Sequence, residues 1–127
     1  VMQTLRDDRE LVKSSKEFNG KNFQRVLPAV QYIIRNYAEP IKMEALAILC
    51  HVSPAQFRRL FLSAMDTSPQ NYLMSIRLNH ADQLLQTTDM KIVDIAYQVG
   101  FTTLSSFNRA FLMTRQRKPK NSRRKTF

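Results

Sequence analysis

A short segment near the middle of the chain, HVSPAQFRRLF at residues 51–61, combines guanidinium groups with bulky apolar side chains. Phe57 and Phe61 are four residues apart, so a helix would place them on one face. The other side then carries Ala55, Gln56, Arg58, Arg59 and Leu62. Arg can pair bidentately with guanine, and small residues let a helix approach base edges closely. The segment is therefore a candidate for reading bases in a DNA major groove.

A second segment, GFTTLSSFNRAF at residues 100–111, repeats this arrangement. Phe107 and Phe111 share one face of the predicted helix. The other side carries Ser105, Asn108, Arg109 and Leu112, of which Ser105, Asn108 and Arg109 are candidates for reading bases. Asn can pair bidentately with adenine, and it is a mediocre helix former, so a structural role explains Asn108 less well.

The charged candidates have alternative interpretations. Arg58 could be a solvated surface charge or contact a phosphate. Arg59 and Arg109 occupy matching positions beside the apolar face. Either could hold a structural carboxylate or a turn carbonyl instead of a base.

Two lysines, Lys42 and Lys91, each precede the first helix of a repeat. A cation at a helix N-terminus opposes the helix dipole, so we expect a phosphate contact there, with a solvated lysine as the alternative. The hydroxyl residues near the two turns complete the candidate phosphate ligands: Ser53, Thr102 and Thr103.

Apolar spacings of three and four, with only two glycines, indicate an all-α chain. The first predicted helix has Pro28 in its first turn and a face of Val30, Ile33, Ile34 and Tyr37. A capping signature at Ser53 begins another. The signals along the chain predict that this helix covers residues 54–64 and that others cover residues 43–50, 69–86, 92–99 and 104–113. The helix over 69–86 has the apolar stripe Tyr72, Leu73, Ile76, Ala81, Leu84 and Leu85.

The short helices and their turns recur along the chain. Leu46 and Ala47 return as Ile95 and Ala96, and one residue is added in the second turn. Gly100 suits a turn that needs positive φ, and His51 fills the matching place. We therefore predict two helix-turn-helix units joined by a long central helix; a plain helical bundle is the alternative.

The net charge of +10 favours a polyanionic partner. No apolar run reaches the roughly 20 residues of a membrane span, so we predict a cytoplasmic protein without a membrane partner. Cys50 is the one cysteine, predicted to be buried. Because no metal-ligand cluster, glycine-rich phosphate loop or nucleophile with a base is present in the sequence, we predict no metal, no cofactor and no catalytic residue.

The two segments, as LAILCHVSPAQFRRLFLSAMDTSPQNYLMSIRLNHADQLL and IVDIAYQVGFTTLSSFNRAF, resemble the halves of an AraC/XylS-type DNA-binding domain. The resemblance implies a domain of about seven helices whose two helix-turn-helix units enter successive major-groove segments of duplex DNA, in a bacterial regulator that is usually an activator. It places base reading at Ala55, Arg58, Arg59, Leu104, Ser105, Asn108 and Arg109. It also implies a separate effector-binding or dimerisation domain on the N-terminal side, and RNA polymerase is a further partner to consider.

On this basis residues 1–22 are predicted as a linker or weak helix, residues 23–114 as the DNA-binding domain, and residues 115–127 as a basic tail or frayed last helix. Asp66 replaces a glycine of the family pattern, a mild departure. Arg115, Gln116 and Ser122 stand where the pattern is aromatic, glycine and aromatic, so the last helix lacks its usual anchors. An RNA-binding or ribosome-associated basic helical protein is the alternative function; it would explain the charge but not the repeat.

Overall fold

The computed structural model describes the backbone of residues 6–123 and the side chains of residues 20–123. This part of the chain is all-helical, without a strand, and its helices are α1 Arg6–Asn36, α2 Met43–Leu49, α3 Pro54–Met65, α4 Pro69–Thr87, α5 Ile92–Gln98, α6 Leu104–Arg115 and α7 Pro119–Ser122. Within the described residues, no helix is both long and apolar enough to cross a lipid bilayer.

The first helix is longer than the sequence pattern indicates. Its predicted start near Pro28 is wrong, because α1 begins at Arg6 and Pro28 lies inside it. A proline inside a helix loses one backbone hydrogen bond and crowds the preceding turn. Pro28 is exposed, however, while Val26 and Ala29 are fully buried. Burial on the other side of α1 stabilises a helix that local propensity alone would end.

The predicted linker, residues 1–22, overlaps the beginning of α1. Asn19 and Gly20, near the end of the predicted linker, lie inside that helix. Residues 1–5 lie outside the described residues. The linker role of this segment stays a prediction, since a helical segment can also connect two domains.

The chain divides into two compact units: residues up to Tyr32 with Lys42–Pro69, and Ile33–Ile41 with the residues from Gln70 onward. In the first unit, the rings of Phe57 and Phe61 are 5.6 Å apart, edge to face. Asn22 is also buried, and its Nδ2 donates to Ser63 Oγ at 3.0 Å, which satisfies one of its donors. The buried apolar side chains of this unit come from three helices and a turn: Val26, Ala29, Val30, Leu46, Ala47, Cys50, Phe57 and Phe61.

Cys50 ends α2 and is buried, as predicted. Burial raises the pKa of its thiol above the ordinary value, and a backbone hydrogen bond involving Ala29 acts in the opposite direction. The thiol therefore behaves as a small apolar group of the core.

The second unit has a larger apolar core, built by α4, α5 and α6: Leu78, Ala81, Leu85, Ile95, Ala96, Val99, Phe101, Phe107 and Phe111. Phe107 lies between Phe101 and Phe111, with ring centroids 5.2 and 5.6 Å away. This packing fixes the inner face of α6 and leaves its other face free for solvent or a ligand.

Two predicted apolar faces differ from the observed ones. In α1, Ile33 is fully buried but Ile34 is half exposed. In α4, Leu73, Ala81 and Leu85 of the predicted stripe are buried. Leu78 is also fully buried, although it lies outside that stripe. Both helices have apolar residues around more than one side, so periodicity alone does not identify the side that packs.

Candidate nucleic-acid interface

The turn between α2 and α3 is closed by backbone conformation and a side-chain cap. His51 has φ 59°, in the left-handed region that the sequence predicts. Ser53 then adopts an extended conformation, and its side chain accepts from the N–H of Gln56 at 3.2 Å. Pro54 occupies the first turn of α3, where its missing N–H costs nothing. These features set the position at which α3 begins.

The turn between α5 and α6 is closed in the same way but contains one more residue. Gly100 has φ 109°, and Thr103 takes the place of Ser53 as the N-cap of α6. The Thr103 side chain accepts from the N–H of Ser106 at 3.1 Å. Thr102 is the added residue, since Phe101 matches Val52 and Thr103 matches Ser53.

Gly100 is confined by an arginine as well as by its backbone. A Cβ atom built on it would lie 2.7 Å from Arg77 Nε and 3.0 Å from the Tyr37 carbonyl oxygen. Arg77 Nε donates to that carbonyl at 2.7 Å, and its second guanidinium nitrogen donates to the Glu39 carbonyl at 2.9 Å. Burial lowers the pKa of Arg77, yet an arginine stays charged at any ordinary pH. Arg77 thus joins the end of α1 to the turn that positions α6.

Helices α3 and α6 also end in the same way. The C-cap of α3 is Asp66 with φ 60°, and that of α6 is Gln116 with φ 59°. Both are left-handed and donate their backbone N–H to the carbonyl four residues earlier, Leu62 and Leu112 respectively. The replacement of the family glycine by Asp66 is therefore accommodated, because a left-handed Asp is only mildly strained.

On α3, the candidate base-reading residues form an exposed stripe. Ala55, Arg58 and Arg59 are exposed, whereas Gln56 is partly buried. Phe57 and Phe61 are buried on the other side of the helix. The helix therefore holds its apolar face inside and presents two guanidinium groups outward.

On α6, Ser105, Asn108 and Arg109 form the matching stripe, and all three are exposed. Leu104 is partly buried and packs against the core of the second unit. Each stripe is set by its own helix and its own compact unit.

The structure bears on the alternative roles of the arginines. Among the described residues, the side chains of Arg58, Arg59 and Arg109 have no hydrogen-bond or ion-pair partner, so no structural carboxylate or turn carbonyl holds them there. The three guanidinium groups are thus available to an external ligand.

The candidate phosphate ligands are all exposed. Lys42 and Lys91 are the N-cap residues of α2 and α5, and neither side chain makes a cap hydrogen bond. Ser53 and Thr103 accept backbone N–H groups, which leaves the hydroxyl proton of Ser53 available. The Thr103 hydroxyl donates to Ser106 Oγ at 2.9 Å, so its proton is already engaged. A phosphate contact by Thr103 would require this bond to break.

The C-terminal segment has polar anchors in place of aromatic ones. Ser122 of α7 is buried; its hydroxyl accepts from Arg117 Nε, and its carbonyl accepts from Gln86 of α4. The Arg123 guanidinium donates to the Thr88 carbonyl at 3.0 Å and to the Met90 carbonyl. Arg124 and Lys125 of the predicted basic tail lie outside the described residues. Part of the basic charge thus holds α7 in place, a use that the sequence reasoning missed.

Sequence reasoning also missed a groove beside α6, with a volume of about 570 Å³. Its walls include Asn108 and Arg109 from the exposed stripe and Lys118 and Lys120 from the C-terminal segment. No sequence motif joins these residues, because they meet only through the docking of α7. Arg77 had a weak signal: it is a charged residue among the apolar positions of α4.

Known proteins match both the sequence and this geometry. A family model described as a helix-turn-helix domain matches residues 46–125. A crystal structure of a transcriptional regulator with an AraC-type DNA-binding domain, from Chromobacterium violaceum, has a TM-score of 0.74 and 31% identity, covering 82% of this chain and 93% of that one.

Two curated relatives extend the comparison. The HTH-type transcriptional regulator GbdR of Pseudomonas aeruginosa is 33% identical over 96 residues, which are 76% of this chain and 26% of GbdR. The lactose operon transcription activator of Staphylococcus xylosus is 36% identical over 83 residues, 65% of this chain and 30% of that protein. The chain spans between a quarter and a third of the length of these relatives.

These matches support DNA binding and give no support to the RNA-binding alternative. The family model covers more than half of the chain, and the AraC-type structure is matched along nearly its whole length. The chain belongs to the AraC/XylS-type helix-turn-helix DNA-binding domains, a family of transcription regulators and not of enzymes.

Proposed function

We propose that this chain recognises a specific duplex DNA sequence through α3 and α6, each in one of two successive major-groove segments, and that it acts in transcription activation. The observation that carries the proposal is the pair of matched exposed stripes. Each stands on a helix whose other face is buried by two phenylalanines. The name of the Staphylococcus xylosus relative supports activation as the output.

The base-reading chemistry differs between the two helices. Arg58 and Arg59 on α3 each offer a planar donor pair suited to guanine. On α6, Arg109 offers the same pair, whereas Asn108 suits adenine. Each good bidentate pair contributes about 1 to 3 kcal/mol of discrimination against the wrong base. Ala55 and Ser105 are small and permit the close approach that these contacts need.

Affinity and steering come from the phosphate contacts. With a net charge of +10, the chain is attracted to DNA of any sequence, and this attraction weakens as salt screens it. Lys42 and Lys91 contact phosphates beside their respective recognition helices. Ser53 and Thr102 add hydroxyl donors at the two turns, and Thr103 adds a third once it leaves Ser106. Such contacts position the protein without carrying sequence information.

Selection of bound duplexes from a random DNA pool, at two salt concentrations and with a structured RNA competitor, tests the proposal. We expect an asymmetric motif in two blocks about one helical turn apart. If no motif emerges, and binding collapses with salt or moves to the RNA, base reading is wrong.

Single variants identify which helix reads which block of the DNA motif. Arg58→Ala should reduce the discrimination between bases in one block, and Asn108→Ala in the other, each by about 1 to 3 kcal/mol. Arg25→Ala is the matched control for Arg58→Ala, because Arg25 is exposed on α1 and its substitution removes the same charge. The control should lower affinity slightly for every sequence and leave both blocks unchanged.

RNA polymerase is the proposed partner for activation. Ile48 and Tyr97 occupy matching positions on α2 and α5, are 72% and 53% exposed, and lie outside the recognition stripes. Covering such a side chain with a partner protein would remove apolar surface from water, which stabilises the contact. Ile48→Ser and Tyr97→Ser should preserve DNA affinity but reduce activation from a reporter promoter. Loss of DNA affinity instead would contradict this role.

We further propose that effector binding or dimerisation belongs to a separate N-terminal domain, in line with the greater length of the relatives. A bacterial regulator of this kind would act in the cytoplasm, where the DNA is. Fusing a known dimerisation domain to the N-terminus should raise DNA affinity by increasing effective concentration at paired sites. No gain on paired sites at any spacing would argue against this arrangement.

A further inference from the structure

The basic C-terminal segment divides into two sets of cations. Arg115, Arg117 and Arg123 all donate hydrogen bonds inside the second unit. Arg117 also lies 3.5 Å from Asp82 Oδ2 on α4. These bonds hold the chain around α7 against α4 and the residues after it, whereas the buried Nε of Arg115 has no partner among the described residues.

Lys118 and Lys120 form the other set. Both are exposed, and neither side chain has a hydrogen-bond or ion-pair partner among residues 20–123. They line the groove of about 570 Å³ together with Asn108 and Arg109. The remaining described lining residues are apolar: Ile92, Leu104, Leu112 and Pro119.

The electrostatics of this groove favour an anion. Arg109, Lys118 and Lys120 are three cations on its walls, and the lining residues include no carboxylate in the described part of the chain. Like charges brought together without a counter-charge repel one another, so they are stabilised when an anionic ligand binds between them. Pro119 is buried and fixes the backbone between the two lysines.

The neighbouring stripe indicates which anion binds. Asn108 and Arg109 are the residues with which α6 reads bases, so DNA bound there brings its phosphates to the sides of that helix. We propose that Lys118 and Lys120 bind phosphates of the DNA strand that borders the bases read by α6. This inference rests on the proposed function. An acidic peptide in the groove would cover Asn108 and Arg109 and compete with base reading, which makes DNA the favoured occupant.

The test compares two charge-matched double variants on the duplex chosen by the selection experiment. Lys118→Gln with Lys120→Gln should reduce the slope of log affinity against log salt by up to about two units, since each lost phosphate contact removes roughly 0.9. Lys21→Gln with Arg25→Gln is the control, because both residues are exposed on α1 and the same charge is removed. An equal change in both double variants would overturn the proposal, leaving only an effect of net charge.

Neutral phosphates locate the contact. Single methylphosphonates are placed along the strands beside the block that Asn108→Ala relaxes. At about two positions, the substitution should lower the DNA affinity of the wild type but have little effect on that of the Lys118→Gln, Lys120→Gln variant. Additive losses at every position would also overturn the proposal, and a lysine variant that binds DNA normally but loses an acidic partner would point to a peptide site.

The outcomes separate this inference from the proposed function. If the wild type selects no motif, the proposed function itself fails. If it selects a motif and the lysine variant behaves as the α1 control does, only the lysine contact fails. Because phosphate contacts carry no sequence information, the lysine variant should select the same motif as the wild type. Equal thermal unfolding of the two would show that α7 remains docked.

Discussion

The two helix-turn-helix units have equivalent caps, but they differ at the residue that reverses the chain between their helices. In the first unit this residue is His51 with φ 59°, and in the second it is Gly100 with φ 109°. The first value lies in the left-handed region, which ordinary residues enter at a cost of about 1 to 2 kcal/mol. The second lies well beyond it, in backbone conformations that only glycine adopts without strain.

The difference shows that one motif can place different demands on its turn. The second turn includes an additional residue, Thr102, and receives the guanidinium of Arg77 where a side chain would otherwise stand. In the first turn, a left-handed histidine suffices. The sequence repeat alone indicates a common turn, whereas the neighbouring helices determine how strictly glycine is required.

Substitution of the turn residues should have the largest effect. Gly100→Ala should lower the free energy of unfolding by about 2 to 5 kcal/mol, because backbone strain adds to the clash with Arg77. His51→Ala, the matched control, should stay within about 1 kcal/mol of the wild type, since both side chains pay the left-handed cost. Urea unfolding followed by circular dichroism measures both. Equal losses in the two variants would contradict the asymmetry.

A double variant sharpens this comparison. Arg77→Ala removes the atoms that an added Cβ would meet at 2.7 Å. Combined with Gly100→Ala, it should cost less than the sum of the two single changes, because the clash is counted only once. Strict additivity would indicate that backbone strain and the Tyr37 carbonyl, not Arg77, explain the need for glycine.

The recognition stripes should differ in base preference. Asn108→Arg should shift one position of the α6 block from adenine toward guanine by about 1 to 3 kcal/mol, roughly 5- to 150-fold in relative affinity, and leave the α3 block unchanged. Competition binding with duplexes that differ at one base pair measures the shift. Asn121→Arg is the control, because Asn121 is exposed on α7 and gains the same charge. A shift in the control as well would mean that charge, not base pairing, drives it.

Substitution of the two N-cap residues, Ser53 and Thr103, should have a smaller effect on stability. Ser53→Ala and Thr103→Ala should each cost about 1 kcal/mol of stability, through loss of the bond to a backbone N–H. Thr103→Ala should cost more, because the Thr103 hydroxyl also donates to Ser106 at 2.9 Å. Thr102→Ala should change stability by less than about 0.5 kcal/mol, as an exposed site. A larger loss from Ser53→Ala would contradict the additional bond.

The smallest effect concerns Cys50, whose counterpart in the second unit is Val99. Burial raises the pKa of the Cys50 thiol, so the folded state keeps its proton at a pH where the unfolded state loses it. The thiol therefore stabilises the fold below its ordinary pKa, and this contribution disappears as pH rises through the raised value. Relative to Cys50→Val, the wild type should become less stable as pH rises from 7 to 10. A constant difference between them would exclude this linkage.

Local signals predicted most of the two repeated segments. Ser53 was identifiable as a cap because a hydroxyl residue stood before proline at the start of an apolar pattern, and the buried pairs of phenylalanines followed from their four-residue spacing. Local signals failed at Pro28, which a long-range packing surface overrides. They also failed for Ile34 and Leu78, because α1 and α4 have apolar residues on several sides.

The exposed stripes on α3 and α6, which we propose read bases, were identifiable because residue type and helical spacing both point to them. The candidate phosphate lysines were found by their recurrence before each repeat. Lys118 and Lys120 lacked such a signal, since the basic residues around them look alike in sequence. Only the hydrogen bonds made by Arg115, Arg117 and Arg123 distinguish cations that hold α7 from those that face the groove.

The sequence by itself determined the helical class, the duplicated turn and the side chains that face outward on α3 and α6. These properties depend on interactions between residues a few positions apart, and such interactions leave a regular pattern. Tertiary structure decided the continuation of α1 through Pro28, the placement of Arg77 against Gly100 and the division of the C-terminal cations. Each of these depends on residues distant in the chain, whose meeting is governed by packing and by the need of buried polar groups for partners.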